Sequence, residues 1–145
     1  MAPKLRLGVL AGCGISIYII SANFLLLYLG ISEEINAADR RWPTSADALL
    51  SVVVAPLAEE FVFRFVPIRL MQEATESKRV LWAVVIVSSL IFALGHEHPA
   101  PIPVFGAVGV ILSLVFLKGG YWTSVLSHAT HNTLVLFVLN PFFLY

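Results

Sequence analysis

The stretch Ala55-Pro56-Leu57-Ala58-Glu59-Glu60-Phe61-Val62-Phe63-Arg64 decides how this chain is read. Two adjacent carboxylates and a guanidinium lie inside a run, Leu49 to Leu70, built mostly from Val, Leu, Ala, Phe and Ile, with Pro56 and Pro67 as interruptions. A charged side chain at mid-bilayer costs about 3 kcal/mol on insertion scales and roughly 10 or more in some calculations, so such groups are rare there and carry function. Two plainer accounts of the trio are a self-paired ion cluster that ties helices together and a soluble core helix with one polar face. The rest of the chain speaks against both.

The 145 residues suit a single domain. They are 59% hydrophobic and 12% charged, with a mean hydropathy of +0.89; a soluble domain is nearer half apolar and a quarter charged. A chain this small keeps a large surface fraction and cannot bury that much apolar surface by itself. Lipid is therefore its expected solvent. A formal net charge of zero gives no electrostatic footprint for nucleic acid. Cys13 is the only cysteine, which excludes an intrachain disulfide, and it is read as a packing residue. No C-x-x-C pair or zinc-finger spacing is present.

Five apolar segments follow, predicting an all-α, polytopic membrane helix bundle with about five transmembrane helices. The first span covers 7–31, long enough for about 30 Å of hydrocarbon. Its length, without a clear cleavage site after it, favours an uncleaved span over a signal peptide. Gly8 and Gly12 form a G-x-x-x-G, a spacing that permits close helix contact but also arises by chance. A polar connection, 32–47, ends near Trp42-Pro43, and Thr44 or Ser45 is the expected cap of the second span, with Asp47 in its first turn. That span runs to about Leu70. The third covers about Val80 to Gly95 and ends in Gly95-His96-Glu97-His98. Pro99, Pro101 and Pro103 are read as a stiff extended link. The fourth segment, Val104 to Leu117, is short for a perpendicular crossing. The fifth starts at Tyr121-Trp122 and reaches about Leu139, stopped by Asn140-Pro141. One integral membrane domain, 1–145, is expected. Lys4, Arg6, Lys78, Arg79 and Lys118 fall on one side of five crossings and Arg40 and Arg41 on the other. The positive-inside rule then puts the amino terminus in the cytoplasm and the carboxyl terminus outside.

Three of these helices carry polar groups that cannot face lipid. The second has Glu59, Glu60 and Arg64, the third ends in His96, and the fifth has Ser124, Ser127, His128, His131 and Asn132. Glu60 and Arg64 are four apart and share a helical face, so they can pair. Glu59 is turned about 100° away and has no local counter-charge. His128 and Asn132 also share a face. A carboxylate beside a histidine can hold and deprotonate a water, and a His and an Asn side by side can donate to a developing oxyanion. No G-x-S-x-G elbow is present. The residues therefore point to water activated by a carboxylate, with amide hydrolysis as the reaction.

Glu59-Glu60-x-x-x-Arg64, Phe92-x-x-x-His96 and His128-x-x-x-Asn132, in this order on separate apolar helices, resemble the motifs of the CPBP family. That family comprises the CAAX-prenyl-protease-like and bacteriocin-processing (Abi) intramembrane proteases, including the Rce1-type enzymes. The resemblance covers about 49–139 and leaves the first span as an addition. It implies a glutamate-type protease without metal or cofactor. Glu59 would be the general base with His96 as its partner, His128 and Asn132 the oxyanion site, and Glu60 and Arg64 supporting members. The implied substrate is a membrane-anchored protein or peptide in a prokaryotic plasma membrane, cut near its membrane-embedded end. The chain is shorter than many members, which suits the small ones linked to carboxyl-terminal sorting systems. His131 is read as a core histidine, with a place in the site as the other reading. Glu97 and His98 are read as solvated loop residues, and Ser124 and Ser127 as packing residues. Two further readings remain: a zinc-dependent membrane protease using Glu59, His96, His128 and His131 as ligands, and a non-catalytic immunity or carrier protein using the same groups as a partner surface or proton relay. Nothing in the residues sets the oligomeric state.

Overall fold

The computed structural model describes residues 3–30, 43–96 and 102–139. The expected interfacial Trp42, the loop residues Glu97, His98, Pro99 and Pro101, the basic pair Arg40 and Arg41, and the terminal Asn140-Pro141 stop lie outside the described residues. The described residues form five helices that run up and down. Helix α1 is Pro3–Tyr28. Helix α2 occupies 45–74 without a break, as the successive segments Ser45–Leu49, Leu50–Val54, Ala55–Glu60, Phe61–Phe65 and Val66–Ala74. Helix α3 is Lys78–Leu94 and α4 is Ile102–Gly119. Helix α5 is Tyr121–Leu134, prolonged by a wider turn over Val135–Leu139. The fold is an all-α membrane helix bundle.

Local chemistry explains where the helices start and how they bend. Thr44 caps α2: its hydroxyl accepts from the Asp47 N–H, and the Asp47 carboxylate accepts the Thr44 N–H at 2.8 Å. This is a reciprocal capping box. Two π turns, Leu50–Val54 and Phe61–Phe65, interrupt α2, and each is followed by a proline in the first turn of the next regular segment. Proline has no N–H for the carbonyl four residues before it. Pro67 thus leaves the Phe63 carbonyl short of a donor, and the Ser88 hydroxyl of α3 donates there. In the first π turn the Ala55 N–H goes to the Leu50 carbonyl. Ser51 therefore loses its α-helical donor, Ala55, and its π-helical one, Pro56. Pro103 is a correction to the expected extended link. It sits in the first turn of α4, where a missing N–H leaves no intrahelical bond unmade. That gives α4 18 residues, about 27 Å at 1.5 Å per residue, rather than a short apolar segment.

The core is small and the outside is apolar. Ile15, Phe92, Val108 and Leu112 pack together from α1, α3 and α4. Ile68, Val85 and Phe116 form a second cluster towards the other end. Leu10, Phe24, Leu90, Leu114 and Phe137 are exposed instead. Helices Pro3–Tyr28 and Ile102–Gly119 are long and apolar enough to cross a membrane by themselves. The remaining helices are shorter or carry the buried polar groups.

The G-x-x-x-G of α1 faces α5 at close range. A Cβ on Gly12 would lie 2.5 Å from the Ser127 carbonyl oxygen and 2.6 Å from Thr130 Cβ, and one on Gly8 would lie 3.0 Å from the Thr123 carbonyl oxygen. A Cβ on Gly14 would meet nothing within 4 Å. Gly12→Leu should therefore force α1 off α5 and destabilise the bundle by about 1–3 kcal/mol. Gly14→Leu should be near neutral. Thermal unfolding in detergent micelles separates them; equal melting of the two variants would refute the packing.

Candidate active site

The site begins with Glu60, which is fully buried, as is Arg64 one turn later. The pairing expected from their spacing is present: Arg64 Nη1 lies 3.1 Å from Glu60 Oε1. Glu60 Oε1 also accepts the Nδ1–H of His128 at 2.9 Å. Its other oxygen, Oε2, accepts the Ser124 hydroxyl. One carboxylate thus joins α2 to two positions of α5. The Arg64 charge extends to the other helices. Its Nη2 lies 3.4 Å from the Gly109 carbonyl oxygen of α4, and its guanidinium carbon sits 4.2 Å from the centre of the Phe92 ring of α3, a cation–π contact. Gly109 lets this happen: a Cβ there would come within 2.7 Å of Ser89 Cβ, so α3 and α4 approach closely.

His128 stands between the two carboxylates. A carboxylate can only accept, so its Nδ1 carries a proton towards Glu60 and its Nε2 is turned the other way. Nε2 lies 3.8 Å from Glu59 Oε2, beyond direct hydrogen-bond range. Glu59 Oε2 is itself buried and has no hydrogen-bond partner among the described residues, although the Glu59 side chain as a whole is 29% exposed. Glu59 therefore presents an unused acceptor to the interior while keeping a partly open side.

His96 follows directly on α3. Its Nδ1 donates to the Phe92 carbonyl at 2.8 Å, which leaves Nε2 as the free ring nitrogen. Its ring lies 4.4 Å from Phe92 and stacks on Phe105 at 4.9 Å. The Phe92 ring is also 6.0 Å from the His128 ring. Phe92 thus spaces His96, His128 and Arg64 around one aromatic side chain.

Asn132 donates its Nδ2–H to the Ser51 carbonyl at 2.7 Å. That is the carbonyl orphaned by the first π turn and Pro56, so the bend of α2 creates the acceptor that α5 satisfies. A second N–H and the amide oxygen of Asn132 remain. His131 goes elsewhere: its Nδ1 lies 2.9 Å from the Ser16 hydroxyl of α1. Ser124 is a correction, because sequence alone made it a packing residue and it is a ligand of the buried Glu60. Its spacing of four from His128 placed both on one helical face, which is the signal that was there to use. Ser127 is buried with no hydrogen-bond partner among the described residues. No group of three His, Cys, Asp or Glu side chains among the described residues is gathered as metal ligands.

A family model described as Type II CAAX prenyl endopeptidase Rce1-like matches residues 41–134. The chain belongs to this family. The match takes in α2 through α5 and every polar group described above except Ser16. The expected membership of the CPBP family is thereby shown, and the chain is a membrane protein. The membrane-embedded CAAX protease MroQ of Staphylococcus aureus is 36% identical over 98 residues, covering 61% of this chain and 38% of that relative. The chain thus spans well under half of that relative's length. No solved structure matches.

Removing Arg64 would leave Glu60 as a buried charge without its main counter-ion. Loss of one partner of a buried pair costs about 3–5 kcal/mol. Arg64→Met should lose that much stability in micelles, and adding Glu60→Gln should restore part of it. An Arg64→Met protein as stable as wild type would contradict the buried-pair description.

Proposed function

We propose that the chain is an intramembrane endopeptidase of the glutamate type, acting on a membrane-anchored protein or peptide near its membrane-embedded end. The observation that carries this reading is the unpartnered Glu59 Oε2, 3.8 Å from a histidine whose other nitrogen is held by a second, fully buried carboxylate. A structural ion cluster would use all of its acceptors. Here Glu60 uses both oxygens and Glu59 leaves one open.

In this reading a water sits on Glu59 with His96 as its second contact. Glu59 takes a proton from the water as its oxygen adds to the scissile carbonyl carbon. Negative charge gathers on the carbonyl oxygen, where the remaining Asn132 N–H donates and where His128, carrying a proton on both ring nitrogens, donates from Nε2 while Nδ1–H stays on Glu60. Glu60 holds the His128 ring so that Nε2 points towards Glu59, and Arg64 holds Glu60. Collapse of the tetrahedral intermediate breaks the C–N bond, and the proton on Glu59 passes to the leaving amine. The products are a carboxylic acid and an amine, which become a carboxylate and an ammonium on proton transfer. Family membership supports peptide hydrolysis as the reaction class, and the name of the similar MroQ, a CAAX protease, points the same way.

The reading extends to orientation. Apart from Arg64, every described basic residue belongs to one end of the bundle: Lys4 and Arg6 begin α1, Arg69 lies in the last turns of α2, Lys78 and Arg79 begin α3, and Lys118 ends α4. The positive-inside rule assigns that end to the cytoplasm. Glu59, His96 and Asn132 then lie in the outer half of the bundle, where a substrate enters from the outer side.

Glu59→Gln keeps the side-chain size and removes the base. The variant should fold as wild type and lose about 10²–10⁴-fold in cleavage of a membrane-anchored reporter reconstituted in vesicles. Cleavage at the wild-type rate would sink the mechanism. A cysteine at position 40 should react with a membrane-impermeant maleimide added outside intact cells; protection there, with labelling only after lysis, would reverse the topology.

A further inference from the structure

A cavity of about 400 Å³ opens at the basic end of the bundle, with neither Glu59 nor Glu60 among its lining residues. Lys4 of α1, Arg69 of α2 and Lys118 of α4 converge on it from three helices, with Tyr121 beside them. Phe65 and Phe116 supply its apolar wall. Among the described residues no carboxylate lines it. Glu73 pairs with Arg69 at 3.0 Å, so of three lining cations one is compensated, while Lys4 and Lys118 have no ion-pair partner among the described residues. The Tyr121 hydroxyl is engaged, donating to the Leu57 carbonyl at 2.9 Å, and it fixes the start of α5 against α2. Trp122, the next residue, is 72% exposed. An exposed tryptophan at the end of a membrane helix marks headgroup depth.

Ammonium groups and a guanidinium around one small space suit a phosphate, whose oxygens accept from several donors at once. The position suits a lipid rather than a soluble anion. The exposed Trp122 beside the charged mouth argues for headgroup depth there, and Phe65 and Phe116 offer the apolar contact that an acyl chain takes. Arg6, Lys78 and Arg79 at the same end raise the positive field without lining the cavity. We propose that this cavity binds the phosphate of an anionic phospholipid headgroup and seats the bundle in the leaflet at its basic end. The proposal is independent of the peptidase reading, because none of the lining residues belongs to the site around Glu59.

The test uses the full chain in detergent micelles with equal amounts of phosphatidylglycerol and phosphatidylcholine, counting retained lipids by native mass spectrometry. With each lysine contributing about 5-fold at a membrane surface, the wild type should retain phosphatidylglycerol about 25-fold over phosphatidylcholine. Lys4→Gln with Lys118→Gln should bring that ratio close to one. Lys4→Arg with Lys118→Arg should keep it, and so should Arg6→Gln, a lost charge at the same end outside the cavity. Equal retention of the two lipids by wild type would overturn the proposal, and this result needs no variant to fold. A fall in Arg6→Gln as large as in the double variant would also overturn it, showing a diffuse surface potential instead of a site. Displacement of the lipid by millimolar inorganic phosphate would make the cavity a soluble-anion site and overturn the lipid assignment.

Discussion

The Glu60 carboxylate is the point on which this bundle depends. It is fully buried in a protein whose outer surface faces lipid, so water cannot compensate it. Its charge is met by Arg64 on its own helix and by His128 and Ser124 on α5. Arg64 in turn needs the Gly109 carbonyl of α4 and the Phe92 ring of α3. Four helices are therefore brought to one carboxylate. In lipid, where apolar burial gives helices little reason to associate, packing and polar contacts of this kind set which faces meet.

Backbone irregularity and side-chain placement are coupled in α2. The prolines remove donors, and the π turns redistribute those that remain. The Ser51 carbonyl is left over and is satisfied from another helix by Asn132, and the Phe63 carbonyl, whose α-helical donor position is Pro67, takes the Ser88 hydroxyl. The irregularity of α2 thus creates fixed attachment points on its neighbours. Asn132 is placed by the first of these, at the far end of the same helical face that carries His128. A regular α2 would have kept the Ser51 carbonyl for itself and left Asn132 to find another partner.

Helix α1 stands before the family match, yet it contacts the helix that carries His128 more intimately than a lipid anchor needs. Gly8 and Gly12 bring the two backbones together, and Ser16 holds His131. A second face of α5 is thereby closed by protein, which fixes the rotation of α5 about its axis. That rotation decides where His128 points.

Composition and motif spacing were enough for the class of the fold and for the candidate residues of the site. Apolar runs of membrane length, broken by Gly, Pro and charged turns, left no other architecture for so hydrophobic a chain. Ionisable groups inside those runs stood out because lipid penalises them, and the spacing of four between Glu60 and Arg64 was enough to pair them. What spacing could not supply was distance between helices. That His128 sits on Glu60 with its far nitrogen towards Glu59, that Ser124 is a ligand rather than packing, and that His131 turns to α1 all depend on how α5 is rotated against α1 and α2. Pro103 was misplaced for a local version of the same reason: a proline reads as a break in sequence, while in a helix's first turn it is accommodated at no cost in hydrogen bonds. Only the tertiary structure decided these points, because helical periodicity fixes which residues share a face, and close packing at Gly12 and Gly109 fixes which faces meet.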